Sequence, residues 1–417
     1  KSPSLPIAKP MPGSCLFTWE EEGIVLRLFR LKERAGYLTA EIEITEPGST
    51  PPHLYGADRL TLASGESRLK IAKNLAARRN NLNWNVMLEQ VAIATLEYHR
   101  RGEPVVKVGL EQRRKEKPWK LWPIIPFQNT AILFGPGGSL KSTFAAYCGI
   151  LIQSGTPGSG MKAQKGNVLY LDWEASEDDF NDLCWGLREG GLIAERNALF
   201  YRYMSHPLAD DQEAIQEYIT EHAIDTIIVD SAMPAAGSTR QAKEDAGVLL
   251  ASLRSFKTSN FIIAHEVKSP FGPPKPYGDV FWENLSRHVL QMKTIDGPTP
   301  QSKKAAIFNT KTNWGPKLNP LGFLISFLED GLIEIASSNV EKMPEFSKDM
   351  PATTQIKLAL QHGPQNVEHI AAETGLNQKV IQVRLSEGKK AGLFYAVSRG
   401  LWGLTAQFSP TDFDNVT

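Results

Sequence analysis

The chain has 417 residues and a mass of 46.2 kDa, enough for two or three domains. Lys+Arg and Asp+Glu each number 46 and hydrophobic residues make up 41%, so a sizeable core can form while no global basic field points to nucleic acid. The three cysteines, Cys15, Cys148 and Cys184, form no CxxC pair, and no apolar run approaches the ~20 residues of a membrane span; this excludes a disulfide or zinc framework, and a cytoplasmic protein with no membrane partner is expected.

Residues 1–13, rich in Pro, Ser and Lys, read as a tail. The chain opens on Lys1 rather than Met with no signal-peptide pattern behind it, so the natural N-terminus and a further domain can lie ahead of it. From Cys15 to about Leu62, short alternating runs such as GIVLRLFRL and YLTAEIEIT are separated by turn residues and read as strands. Beyond Ser67 the period becomes helical: Leu69, Ala72 and Leu75, then Trp84, Leu88, Val91 and Leu96. Residues 14–110 are therefore expected as an α+β module, with Trp19 and Trp84 in its core. Residues 111–125 carry the basic RRKEKPWKLW and read as a solvated linker.

Residues 126–336 alternate apolar strand-like runs with helical stretches: AILFG, NVLYLDWE, LFYRYM, DTIIVDS, NFIIAHE, AAIFNTK and FLISFLED. Continuous apolar runs of four to six residues suit strands buried on both faces, so an α/β core with a mostly parallel sheet is expected. Residues 337–351 read as a second linker. Residues 352–408 give three helices (TTQIKLALQH, NVEHIAAETG, NQKVIQVRLSEGKKAG) and a hairpin (FYAVSRGLWGLT), the pattern of a winged helix, followed by a tail over 409–417. On that reading the third helix offers Gln378, Lys379, Gln382 and Arg384 to a groove and the hairpin offers Arg399. Over 351–417, however, six Lys/Arg stand against five Asp/Glu, a net charge of +1, which is a weak footprint for DNA and leaves protein contacts open.

The chemistry centres on GPGGSLKST, residues 135–143. It follows a strand and opens a helix, the setting of a phosphate-binding loop, G-x-x-x-x-G-K-[ST]. Gly135, Pro136, Gly137, Gly138, Ser139 and Leu140 would line the phosphates with backbone N–H groups. Lys141 would neutralise the β- and γ-phosphates of ATP, and Ser142 would hold Mg²⁺, with Thr143 a weaker metal candidate. Leu140 stands where glycine is usual. A residue entering a helix normally has negative φ, so leucine is expected to be tolerated and the loop to bind ATP.

Three further strands end in polar groups. Asp172-Trp173-Glu174 ends one, and Glu174 could orient the attacking water. Glu177, Asp178 and Asp179, just after it, read as complements to a helix dipole. Asp230 ends DTIIVDS as a magnesium-side carboxylate, with Ser231 next to it. His265 ends the following strand as a candidate γ-phosphate sensor.

These motifs, together with GDVFWENLSRHVLQM and NTKTNWGP, resemble the RecA-fold ATPases, specifically the RepA-type hexameric replicative helicases of plasmids, phages and other mobile elements, over about 126–327. The resemblance implies that Glu174 is the catalytic base, that Asp230 binds magnesium through water and that His265 is the sensor. It implies Arg287 as an arginine finger reaching a neighbour's nucleotide, with Lys311 and Asn313 at the same interface. It further implies a homo-hexamer with single-stranded DNA in its channel, where Lys268 and Lys275 could touch phosphates. The expected function is an ATP-hydrolysing, ring-forming DNA motor; the alternative is a regulatory or loading ATPase that binds DNA without unwinding it.

Overall fold

The computed structural model describes residues 3–405 apart from 12, 35, 49–52, 102–104, 106, 108, 110–117, 192, 194–198, 238–241, 268–273, 277–279 and 314. Lys268 lies outside the described residues.

The first hundred residues form an antiparallel sheet: β1 (Ile7–Met11), β2 (Ser14–Trp19), β3 (Ile24–Arg34), β4 (Tyr37–Thr45) and β5 (His53–Thr61), in that order. Residues 7–11, expected in a tail, pair along Ser14–Thr18 as an edge strand. In β4 every second residue is buried, the period-two pattern of a sheet with one covered face. The cover is α1 (Gly65–Ala76), capped by Ser64, and α2 (Trp84–Arg101). Trp19, Leu28, Ile44, Ile71, Leu75, Trp84 and Val91 fill the space between. Leu69 faces outward and Ile71 takes the inward place, which shifts the helical stripe from the one read in the sequence.

Residues 118–125, within the stretch read as the first linker, already belong to the central core. β6 (Trp119–Trp122) and β7 (Ile125–Pro126) form a small sheet with β9 (Lys162–Ala163), and Leu121, Ile124 and Ile125 are fully buried. Then come β8 (Thr130–Gly135), α3 (Lys141–Ser154), β10 (Asn167–Asp172), α4 (Glu177–Gly190), β11 (Phe200–Tyr203), α5 (Gln212–Glu221), β12 (Ile224–Asp230), α6 (Ala232–Ala236), α7 (Ala242–Ser255), β13 (Ser259–Val267), β14 (Lys275–Pro276), α8 (Val280–Leu285), β15 (His288–Asp296), β16 (Ser302–Thr312), β17 (Leu321–Phe327) and β18 (Ile333–Ser338). The main sheet runs β11-β10-β12-β13-β8-β15-β16-β17-β18, parallel from β11 through β15 and antiparallel beyond.

The parallel strands are buried on both faces. In β8, Ala131 and Leu133 point to one core with α3 and α4, while Ile132 and Phe134 point to the other with α5 and α7. That is why these runs show no alternation in sequence. Residues 339–350, within the second expected linker, are held against the sheet: Val340, Met343, Phe346 and Met350 pack on Ala306 and Phe308.

The C-terminal unit comprises α9 (Ala352–Leu360), β19 (Gln365–Asn366), α10 (Val367–Thr374), α11 (Gln378–Lys390), β20 (Phe394–Ser398) and β21 (Leu401–Leu404). Ile356, Leu360, Ile370, Ile381, Leu385 and Phe394 form its core, and β21 lies between β19 and β20. Asn366 and Asn377 cap α10 and α11, and Gly375 ends α10 at φ +73°.

Candidate nucleotide site

Strand order decides what meets at the sheet edge. β10, β12, β13 and β8 are consecutive neighbours and all point the same way, so their C-terminal ends lie side by side. The register aligns Asp172 with Asp230, Asp230 with Ile263, and His265 with Gly135. Glu174, Asp230, His265 and the 135–141 loop, far apart in the chain, therefore share one edge. In open α/β sheets this is the edge where ligands bind.

The loop between β8 and α3 is tightly constrained. A Cβ on Gly135 would lie 2.3 Å from the carbonyl oxygen of Met292, so only glycine lets β8 and β15 approach here. Gly138 has φ +72°. Leu140 has φ 59° and ψ 29°, in the left-handed region, which overturns the expectation of negative φ at this position. The usual glycine there is thus a conformational requirement that leucine meets under strain. Part of the compensation is visible: the Leu140 side chain packs against the core around α3.

Lys141 is buried, and its ammonium donates to the carbonyls of Gly135 (3.1 Å) and Pro136 (2.7 Å) and to Ser139 Oγ (3.2 Å). Burial lowers its pKa, opposed by Asp230, Glu174 and Glu266. A phosphate would compete well with neutral carbonyls for this cation. Ser142 is exposed, in the first turn of α3. Thr143 is buried in the first turn of α3.

Asp230 is 4% exposed. Burial pushes its pKa up, while the Ser142 and Tyr170 hydroxyls hold it down; the Tyr170 hydroxyl donates to Oδ2 at 2.7 Å. The peptide from Asp230 to Ser231 is cis. Asp172 Oδ1 accepts from the N–H groups of Glu174 (2.8 Å) and Ala175 (3.0 Å), which turns the chain sharply after β10. Glu174 is exposed at this turn; its Oε1 accepts from Ser231 Oγ at 2.6 Å and lies 3.9 Å from His265 Nε2. Glu177, Asp178 and Asp179 form the first turn of α4, whose cap is Ser176, in keeping with a dipole role.

The donors Ser142 and Asp230 are hard oxygens, which suit Mg²⁺. Among the described residues no group of three or more His, Cys, Asp and Glu could cage a metal, so a magnesium ion here would also need phosphate oxygens, as this ion commonly does.

Arg287, Lys311 and Asn313 form a different cluster. The Asn313 N–H donates to the Arg287 carbonyl at 3.0 Å. Lys311 Nζ donates to the carbonyls of Glu283 (2.6 Å), Asn284 (3.1 Å) and Ser286 (3.0 Å), closing the C-terminal end of α8 beside Arg287. His288 pairs with Ala131 at the start of β8, so Arg287 sits at the opposite end of the sheet, roughly 17 Å of strand from Gly135. Lys311 and Asn313 therefore do not line the nucleotide loop of their own chain.

Lys379, Gln382, Arg384 and Arg399 are all exposed, the first three on α11 and Arg399 at the hairpin turn. At about 100° per residue, Lys379 faces away from the buried Ile381 and Leu385, while Gln382 and Arg384 lie on opposite flanks. Arg384 is paired with Glu387 at 2.7 Å. Val380, Val383, Tyr395 and Val397 are exposed nearby.

Sequence reasoning did not find the hydrogen-bonding roles of Tyr170, Asp172 and Ser231. One signal was present: a tyrosine in an otherwise aliphatic buried strand carries a hydroxyl that needs a partner.

Residues 97–268 match the family model described as an AAA domain. No curated protein matches the chain. Among solved structures, the chain is similar to a KaiC-like protein of the hyperthermophilic archaeon Pyrococcus horikoshii, at 16% identity and a TM-score of 0.37, over 55% of this chain and 99% of that one. The AAA-domain match spans the 135–141 loop and the parallel strands whose ends converge at the sheet edge, within the α/β core. Among the described residues no helix is long and apolar enough to cross a membrane.

Proposed function

We propose that this chain is an ATP-hydrolysing, ring-forming DNA motor, a replicative helicase of a plasmid, phage or other mobile element. The observation that carries the hydrolytic part is the convergence of Lys141, Glu174, Asp230 and His265 on one sheet edge. In the proposed reaction, the N–H groups of 135–140 and the Lys141 ammonium bind and orient the phosphates. Ser142 and Asp230 hold the metal side, where a bound magnesium ion would offset phosphate charge. Glu174, held at one oxygen by Ser231, orients the attacking water with the other, and His265 reports on the γ-phosphate.

What supports ring formation is the placement of Arg287, an exposed cation whose backbone lies at the far end of its own sheet from the loop, where it is open to a neighbouring subunit. We read the ring as a homo-hexamer with single-stranded DNA in its channel, and residues 352–408 as a winged helix that contacts DNA through Lys379, Gln382 and Arg399. Arg384, tied to Glu387 and on the other flank, is the weakest of the four. A second reading, a regulatory or loading ATPase, is favoured by the exposed Val380, Val383, Tyr395 and Val397, which suit a protein surface better than a phosphate backbone.

The test is steady-state ATP hydrolysis with and without single-stranded DNA, beside Glu174→Gln. DNA should raise the rate several-fold, and the variant should bind ATP but not turn it over. Hydrolysis indifferent to DNA would remove the motor reading and leave the regulatory one.

A further inference from the structure

The two carboxylates at the sheet edge are held crosswise. Tyr170 lies on β10, the strand that delivers Glu174, yet its hydroxyl donates to Asp230 at the end of β12 (2.7 Å). Ser231 follows Asp230, yet its hydroxyl donates to Glu174 (2.6 Å). Each strand thus supplies the donor that holds the other strand's carboxylate. Both donors are buried, Tyr170 at 1% and Ser231 at 2% exposure.

The surroundings stiffen this pair of bonds. The Tyr170 ring packs on Phe180 of α4 (centroids 4.3 Å), and Phe180 stacks on Tyr201 of β11 (4.7 Å). The Tyr201 hydroxyl donates to the Ala175 carbonyl at 2.8 Å, and Asp172 ties the same turn from below. A shift of Glu174 relative to Asp230 would have to break several of these bonds together.

We propose that Tyr170 and Ser231 are positioning residues forming a reciprocal latch, which fixes the water-orienting carboxylate and the metal-side carboxylate relative to each other before nucleotide arrives. The proposal rests on the ATPase reading above. Its physical content is preorganisation: two side chains that must act on one phosphate are oriented in advance. With Tyr170 holding Asp230, the Ser142 hydroxyl need not do so and can serve a metal. Ser231 restrains Glu174, whose exposed side chain would otherwise sample several rotamers.

The latch predicts two separable defects in the full-length chain. Ser231→Ala should lower kcat about tenfold or more, as expected for losing a hydrogen bond to a charged group, with KM for ATP and the half-saturating Mg²⁺ concentration unchanged. Ser231→Thr, which keeps the hydroxyl, should restore kcat. Tyr170→Phe keeps the ring and removes only the hydroxyl. It should raise the half-saturating Mg²⁺ concentration about tenfold while leaving kcat at saturating Mg²⁺ within about twofold. A readout independent of turnover is Mn²⁺ binding, followed by electron paramagnetic resonance with a non-hydrolysable ATP analogue: Tyr170→Phe should weaken it and Ser231→Ala should not. Identical defects in the two variants, or no defect in either while the wild type hydrolyses ATP, would overturn the latch alone. A wild type that neither binds the analogue nor hydrolyses ATP would overturn the ATPase reading and the latch with it.

Discussion

Leu140→Gly tests whether the loop is strained. Leucine in the left-handed region costs about 1–2 kcal/mol, which glycine would relieve. Against this, glycine adds roughly 0.5–1 kcal/mol of backbone entropy to the cost of folding. The partly buried Leu140 side chain, worth about half of a fully buried leucine, contributes about 1 kcal/mol more. The terms nearly cancel, so Leu140→Gly should change stability by no more than about 1 kcal/mol. Leu140→Ala loses the packing and keeps the strain, so it should destabilise by about 1 kcal/mol. Leu140→Val, β-branched at the same φ, should be worse than alanine. Urea unfolding of the three variants, with ATPase rates alongside, provides the assay. Turnover of Leu140→Gly should equal or exceed wild type, because the loop N–H groups remain. The strain argument fails if glycine destabilises more than alanine does. A large loss of turnover in Leu140→Gly would instead show that the leucine is built into the site.

Two further outcomes follow from the geometry. Arg287→Ala and Glu174→Gln should each abolish hydrolysis alone while ATP binding persists, and mixed together they should regain activity, at up to about a quarter of sites if subunits assemble at random; no recovery on mixing would refute action across an interface. His288 is fully buried, bonded to the Pro123 carbonyl, and burial pushes its pKa down to about 4 from an ordinary 6.5. The unfolded chain therefore takes up this proton first as pH falls, so the His288 contribution is intact above pH ~6.5 and is lost on the way to pH ~4. Between pH 7 and pH 5 the loss should be about 2 kcal/mol, and His288→Gln should flatten that slope in urea unfolding; an unchanged slope would contradict the burial argument.

The individual members of the candidate site were legible because each ends an apolar run. Glu174, Asp230, His265 and the loop with Lys141 follow strands buried on both faces, and such strands stand out as continuous hydrophobic stretches bounded by polar residues. The α/β class of the core is likewise a local matter of periodicity.

What depended on long-range pairing was not legible. Nothing local says that residues 7–11 add a strand to a sheet, that β16 to β18 turn antiparallel, or that Val340 and Phe346 in an apparent linker cover a sheet face. The strain at Leu140 comes from the path the chain must take between β8 and α3, which residue identity alone does not reveal. Tyr170 meets Asp230, and Ser231 meets Glu174, only because β10 and β12 are neighbours in a fixed register. The same register sends Arg287 to the opposite end of the sheet from Lys141. The sequence by itself determined which residues are candidates for the chemistry, since burial and periodicity act over a few positions; only the tertiary structure decided which of them meet, since strand order and register are set by contacts between segments scores of residues apart.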